Sequence, residues 1–370
     1  MILHSYIFYP LSLEIMSTLK KKYRLTTSEG RSPRKISILV SAYNEEGVIR
    51  RRVSDLLAID FPAFEVIVGV DGATDNTYGA LSDLVDPRLK VINFPNNRGK
   101  VWVLNDLRES AAGEILVFTD ANTELDGKSL GMLERHFDDE KVGGVCGRLE
   151  LRAKHGAKGS NMETAYWGVE SRIKRLEGDQ GVTLGGNGAI YAIRNNLFVP
   201  FDSKSRIHDD LVLPLRIIEK GFYFVYEPCA LAYEESYSFD SEFRRKVKVG
   251  EAIRGSLHAA AGLISPRHGF AAYSFWSHKV IRWFVPFLLI VLALANLMLL
   301  RQGGIFVWTA LCQVVFYFGA AIGIAGLYSG AEIPIAAHCG YLLIANAGIA
   351  TGLTKSLFKH QDAKWEVSRD

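Results

Sequence analysis

Apolar residues fall along this 370-residue chain in three regimes. From residue 35 to about 255, short β-branched runs alternate with helical patterns. From 283 to 353 the chain is almost uncharged. Before residue 35, an apolar and aromatic stretch gives way to Lys20, Lys21 and Lys22. Within the first regime, residues 36–40, 66–70, 90–94 and 115–119 each read as a buried strand, because short apolar runs bounded by polar turns fit a sheet covered on both faces. Helical spacing follows the first of them, with Ile49, Val53, Leu56 and Leu57 on one face. Strands alternating with helices predict an α/β domain.

The second regime contains three stretches, 283–300, 305–328 and 333–353, each about as long as the roughly 20 residues that span a hydrocarbon core of about 30 Å. They predict membrane insertion. Lys279 and Arg282 precede the first stretch and place the α/β domain in the cytoplasm by the positive-inside rule. Lys355, Lys359 and Lys364 in the tail argue for the same side. Three full crossings cannot satisfy both, so either one stretch is re-entrant or the rule fails at the tail. His338 and Asn346 set the third stretch apart, and residues 329–332 break it from the second.

Residues 1–17 include His4 and Glu14 and lack a charged leader and a small-residue cleavage site, so a signal peptide is not expected. An interfacial helix anchored by Tyr6, Phe8 and Tyr9 is. The predicted organisation is an anchor segment (1–34), an α/β domain (35–255), an interfacial linker (256–282), transmembrane helices (283–353) and a tail (354–370).

Composition narrows this further. A net charge of +3, with no basic stripe interleaved with aromatics, excludes nucleic acid as the partner. Cys146, Cys229, Cys312 and Cys339 lie far apart without CxxC spacing, which predicts reduced thiols used as small apolar residues.

The chemistry-bearing residues sit just beyond strand ends. The first strand exits into Ser41, Ala42, Tyr43, Asn44, Glu45 and Glu46; the second into Asp71, Gly72, Ala73, Thr74 and Asp75; the third into Asn96, Asn97, Arg98, Gly99 and Lys100; the fourth into Asp120, Ala121, Asn122 and Thr123. In open α/β sheets ligands bind at that edge. Neither GxGxxG after the first strand nor GxxxxGK[ST] occurs, so a dinucleotide site and a P-loop are not expected.

These motifs, in this order and spacing, resemble the family 2 glycosyltransferases with a GT-A fold, from about residue 35 to the C-terminus. Gly185, Gly186, Asn187 and Gly188, then His208, Asp209 and Asp210, correspond to the family's later motifs, and Trp365 with Glu366 closes the tail as in membrane-bound polysaccharide-forming members. The resemblance implies a nucleotide-diphospho-sugar transferase fold with C-terminal transmembrane helices. It implies a UDP- or GDP-sugar donor, a lipid-linked or polysaccharide acceptor, and Mg²⁺ or Mn²⁺ as cofactor. Export or synthase subunits are the partners such an activity would call for.

By that resemblance, Asp210 is the general base and Asp209 occupies the neighbouring acidic position. Ala42, Asn44, Glu45, Asp71, Lys100, Asp120 and Arg245 contact the donor. Gly186 and Asn187 face the acceptor, and Asp120 with Asn122 holds the metal. Asn122 stands where the family carries a second aspartate, which weakens the expected hold on the ion. Processive members carry a Gln-x-x-Arg-Trp signature near Arg244–Arg245–Lys246, and no tryptophan occurs there. Structural readings compete at several positions: Asp120 with Asn122 as a turn cap, Asp75 as the cap of a helix around Thr77, and Asp209 with Asp210 as acids favoured at a helix N-terminus. Two other functions also compete, a polyprenyl-phosphate glycosyltransferase and a non-catalytic membrane sensor of nucleotide sugars.

Overall fold

The first strand, β1 (Ile36–Ala42), is buried along its whole length. It sits mid-sheet between β2 (Phe64–Asp71) and β4 (Ile115–Asp120), parallel to both, with β3 (Leu89–Phe94) outside β2. This parallel block is completed by β5 (Glu124–Leu125), β6 (Val142–Arg152), β7 (Tyr191–Arg194) and β8 (Tyr223–Glu235) in the order β3-β2-β1-β4-β7-β6-β8-β5. β7 runs antiparallel to β4 and β6. Side chains alternate between two cores. Leu39, Ile67, Leu116 and Phe118 face one; Ile38, Val40, Val66, Val68 and Val117 face the other.

The computed structural model describes residues 1–19, 23–25, 31–152, 160–202, 206–236, 239–329, 333–358 and 364. Lys20, Lys21, Lys22, Lys359, Trp365 and Glu366, used above, lie outside the described residues, as do residues 330–332.

In chain order the helices are α1 (Tyr9–Leu19), α2 (Ile49–Leu57), α3 (Lys100–Glu109), α4 (Ser129–Glu134), α5 (Ser160–Gly178), α6 (Asp209–Glu219), α7 (Phe239–Ala259), α8 (Phe270–Ser274), α9 (Ile281–Leu299), α10 (Ile305–Ser329) and α11 (Pro334–Phe358). α2 buries Ile49, Val53 and Leu56, the stripe its spacing predicts. Around Thr77 the expected helix is absent; the chain there makes turns and one 3₁₀ turn, Gly79–Leu81. The four cysteines are free.

Register places the chemistry at one edge. Ala42 lies opposite Val70, and Ser41 lies opposite Asp120. The exits of β1, β2 and β4 therefore end level with one another. Because the chain leaves β1 toward β2 on one side and later returns to β4 on the other, this is the point where strand order reverses, and a crevice opens there.

Among the described residues, three helices are long and apolar enough to cross a membrane. α9 and α10 form a hairpin joined by a polar latch, in which Asn296 Nδ2 donates to Gln313 Oε1 at 2.6 Å and Thr309 donates to Asn296 Oδ1 at 2.9 Å. Such bonds have no competing water inside a bilayer. α11 differs. Beyond its first two turns it packs along α7, and the contact is built from glycines: a Cβ on Gly352 would land on the Val247 carbonyl oxygen, and one on Gly348 would come within 2.8 Å of the Lys246 side chain. Tyr341 donates to Glu242 at 2.8 Å, and Arg254 donates to the Ser356 carbonyl at 3.3 Å.

The N-terminal helix departs from expectation at one of its anchors. Leu3, Ile7, Leu11, Ile15 and Leu19 present an exposed stripe at four-residue spacing, with Tyr6 and Phe8 also exposed. Tyr9 instead points inward and donates to Glu177 at 2.6 Å.

Candidate active site

β4 delivers Asp120 to the crevice, and the first turn of α3 delivers Lys100. Their contact is direct: Lys100 Nζ donates to Asp120 Oδ1 at 2.8 Å and lies 3.3 Å from Asp209 Oδ1. Burial by itself would lower the Lys100 pKa, but Asp120, Asp209 and Asp210 outweigh it and hold the amine protonated well above its usual range. Asp209 is 6% exposed and opens α6. Desolvation pushes its carboxyl up; Lys100 opposes that shift and Asp210 and Asp120 add to it. Tyr191 donates to Asp209 Oδ2 at 3.1 Å from a ring stacked on Phe118 at 4.5 Å. Asp210, beside it in the first turn, is half-buried and within electrostatic reach of Lys100.

Lys100 is aimed by a turn that Asp71 holds. The Asp71 carboxylate, fully buried, accepts the Arg98 amide at 3.0 Å and the Gly99 amide at 2.7 Å. Burial raises its pKa despite these donors. Gly99 has φ +98°, a conformation that side chains resist, so the turn needs glycine directly before Lys100. Asp71 is thus the support of the α3 N-terminus, with both oxygens already engaged inside the protein.

The first two loops are laced to each other. Asn44 adopts φ +54° and accepts the Thr74 amide at 2.8 Å. The Glu45 amide donates to the Thr77 hydroxyl at 2.7 Å, and Glu46 accepts the Asn76 amide at 2.8 Å. Asp75 accepts the Thr77 amide and hydroxyl and the Glu46 amide, the capping arrangement weighed from sequence. Ala42 ends β1, fully buried, at the floor of these loops.

Above the cluster lies the glycine loop. The Gly186 amide donates to the Asp210 carbonyl at 2.5 Å. A Cβ on Gly188 would come within 2.8 Å of Asp120 Oδ2, so only glycine leaves that carboxylate oxygen open. Asn187 is buried, and its amide is spent within the protein: Oδ1 accepts from Lys174, and Nδ2 donates to the Gly147 carbonyl at 2.7 Å. Asn122 is half-buried in the turn after β4. His208 caps α6, with Nε2 3.1 Å from the Val249 carbonyl.

The structure therefore brings Lys100, Asp120, Asp209, Asp210 and the Gly185–Gly188 loop together at the sheet edge, and engages Asp71 beneath them. Arg245 differs from expectation. Its guanidinium pairs with Glu242 at 2.7 Å and Glu163 at 3.3 Å, between α7 and α5, because α7 turns its basic cluster toward the helices it packs against. Sequence reasoning missed Tyr191 and Lys174. Tyr191 reads as one more apolar strand residue, and Lys174 as one charge among many on an amphipathic helix. Neither carries a local signal.

Comparison with known proteins completes the picture. Residues 37–196 match the model of the Glycosyl transferase family 2. The poly-beta-1,6-N-acetyl-D-glucosamine synthase of Staphylococcus epidermidis is 27% identical over 213 residues, covering 56% of this chain and 52% of that relative. That of Staphylococcus aureus strain MSSA476 is 26% identical over 231 residues, covering 61% and 55%. The chain thus spans about half the length of these curated relatives. Among solved structures, the mannosyltransferase PcManGT from Pyrobaculum calidifontis, in complex with GDP-Man and Mn²⁺, superposes with a TM-score of 0.66 at 20% identity, covering 95% of this chain and 94% of that one. The level strand exits, the acidic crevice and the matched motifs agree: residues 37–196 are similar to the family 2 glycosyltransferases, and the chain carries a GT-A fold.

Proposed function

We propose that this protein is an inverting glycosyltransferase that moves a hexosyl or N-acetylhexosaminyl residue from a UDP- or GDP-sugar to a lipid-linked or polysaccharide acceptor at the membrane. One observation carries the reading: three carboxylates, Asp120, Asp209 and Asp210, converge on the single ammonium of Lys100 at the strand-order switch point. Transfer requires that the leaving diphosphate be neutralised and that the acceptor hydroxyl lose a proton. Lys100 supplies the fixed cation for the first need. Asp210 supplies the base for the second, accepting the hydroxyl proton as the new C–O bond forms and the diphosphate departs from the opposite face. A single displacement of this kind inverts the anomeric carbon.

The residues fit a divalent cation held jointly with the donor. Three negative charges face one positive charge, which leaves room for a divalent ion, and Asp120 Oδ2 is open beside Gly188. Among the described residues no group of three or more His, Cys, Asp or Glu is arranged to hold a metal. Asp120 and Asn122 would hold Mg²⁺ or Mn²⁺ only together with donor phosphates, the usual arrangement for such ions. When bound, the ion adds charge neutralisation at the leaving diphosphate.

The membrane arrangement follows from packing. α7 carries Glu242, Arg245, Lys246, Glu251 and Arg254, which cannot enter hydrocarbon, and α11 lies along it through the glycine contacts. We therefore assign two crossings, α9 outward and α10 back, with α11 lying at the interface against the catalytic domain. That arrangement would put Lys279, Arg282, Lys355 and Lys364 all on the cytoplasmic side, as the positive-inside rule favours.

A donor screen tests the reading. Purified protein in detergent is given UDP- and GDP-sugars with Mg²⁺ or Mn²⁺, and released nucleoside diphosphate is measured. At least one donor turning over in a metal-dependent manner is expected; none turning over with any acceptor lipid or oligosaccharide would refute it.

A further inference from the structure

Lys174 lies in α5 about one turn before its C-terminus, 3% exposed, and makes no ion pair among the described residues. An interior ammonium is costly unless its protons find acceptors. Here they do. Nζ donates to the Gly186 carbonyl at 2.7 Å and to Asn187 Oδ1, with Cys146 Sγ 3.8 Å away. Both oxygens belong to the glycine loop, and that loop holds α6 through the Gly186 amide on the Asp210 carbonyl. Removing the ammonium would leave two buried acceptors without a donor, where the loop is fastened to α5.

α5 is itself tied to the membrane boundary. Glu170, Lys174 and Glu177 follow at spacings of four and three, which puts them on one stripe. Glu177 accepts the Leu184 amide at 3.1 Å, at the start of the glycine loop, and also the Tyr9 hydroxyl at 2.6 Å. His278 lies between the two acids, with Nδ1 2.7 Å from Glu177 and Nε2 3.1 Å from Glu170. Glu170 pairs with Lys279 at 2.8 Å and Arg282 at 3.3 Å, at the foot of α9. One buried stripe thus joins the loop beside Asp210 to the N-terminal helix and to the first crossing.

We propose that Lys174 is a positioning residue for the transfer step: from a helix clamped at the membrane boundary it sets the glycine loop, and through that loop the N-terminus of α6 and Asp210. The proposal rests on the assignment of Asp210 as the base. Lys174 is buried with its ammonium spent on the glycine loop, so its effect should fall on kcat and not on donor affinity.

The test compares wild-type, Lys174→Met, Lys174→Arg and Asn187→Ala full-length proteins in nanodiscs, by steady-state transfer and by amide hydrogen exchange. For Lys174→Met we expect kcat to fall about 10- to 100-fold, as small misplacements of reacting groups do, with donor KM within about twofold. Exchange should quicken at residues 184–188 and 209–211, and Lys174→Arg should recover part of the rate. A rate within about twofold of wild type together with unchanged exchange overturns the proposal, and so does a donor KM that rises in step with the loss of kcat. If Lys174→Met does not fold, Asn187→Ala decides: a kcat-selective loss supports the relay, and no loss overturns it. If wild-type protein turns over no donor, the transferase reading falls, while exchange in residues 184–188 still judges Lys174 by itself.

Discussion

At Lys100 the balance of charge decides what the crevice can accept. Its ammonium occupies Asp120 Oδ1 and reaches Asp209, so it stabilises the cluster by itself and, under the proposed function, would compete with a metal ion for the same carboxylate. Lys100→Met should therefore move two affinities in opposite directions. Binding of Mn²⁺ alone should tighten, because three carboxylates lose their fixed counter-charge, while binding of a nucleoside diphosphate should weaken several-fold for want of a cation near phosphate. Calorimetric titration of each ligand checks this; looser Mn²⁺ binding would show that Lys100 does not compete at Asp120. Individual residues of the crevice were legible where a polar motif follows an apolar run, as at Asp71, Lys100 and Asp120, whereas Asp210 was reached only through the family resemblance. Their division of labour was not. Nothing local in the sequence shows that Asp71 has both oxygens engaged by the Arg98–Gly99 turn, that Asn187 is spent on Lys174 and Gly147, or that Arg245 faces Glu242. Each of those facts is a meeting of segments far apart in the chain.

Between elements, one tether lends itself to measurement by pH. Glu227 on β8 accepts from Arg135 at 2.5 Å and lies 2.7 Å from His136 Nε2, which ties the strand to the turn that follows α4. Burial alone would raise its pKa, but the hydrogen bonds and charges of His136 and Arg135 outweigh this and bring it to about 2, against an ordinary 4.5. A carboxylate depressed by folding stabilises the native state above its unfolded pKa, and that stability is lost as pH falls through the folded value. Glu227 should thus contribute about 3 kcal/mol above roughly pH 4.5, declining toward pH 2. Thermal unfolding of Glu227→Gln against wild type should show a destabilisation that shrinks between those limits; a difference independent of pH would contradict the tether. The elements themselves were partly legible. The four parallel strands and α2 follow from local pattern, because an apolar run in a covered sheet needs no partner to be recognised. α5 was invisible, since a mixed polar helix buried by long-range ion pairs resembles a solvated one. α11 read as a span because its composition is apolar; only its packing on α7 shows that part of its surface is already covered by protein.

For the molecule as a whole, the assignment of two crossings predicts a sidedness. In a cysteine-free variant carrying single cysteines, a cysteine at position 302 should react with an impermeant maleimide from outside intact cells, whereas one at position 364 should react only after permeabilisation, like one at an exposed catalytic-domain position such as 85. Labelling of position 364 from outside would establish a third crossing and detach α11 from α7. Under the proposed function, with the crevice, α1 and the α9–α10 hairpin joined through α5, acceptors carried in the bilayer would arrive beside the glycine loop next to Asp210. The most direct test of this account is donor binding and transfer measured side by side for wild type and Asp210→Asn. The account predicts nucleotide-sugar affinity unchanged within a few-fold and transfer slower by about 10²- to 10⁴-fold, the span expected for loss of a general base. Transfer by Asp210→Asn at a rate near that of wild type would contradict it.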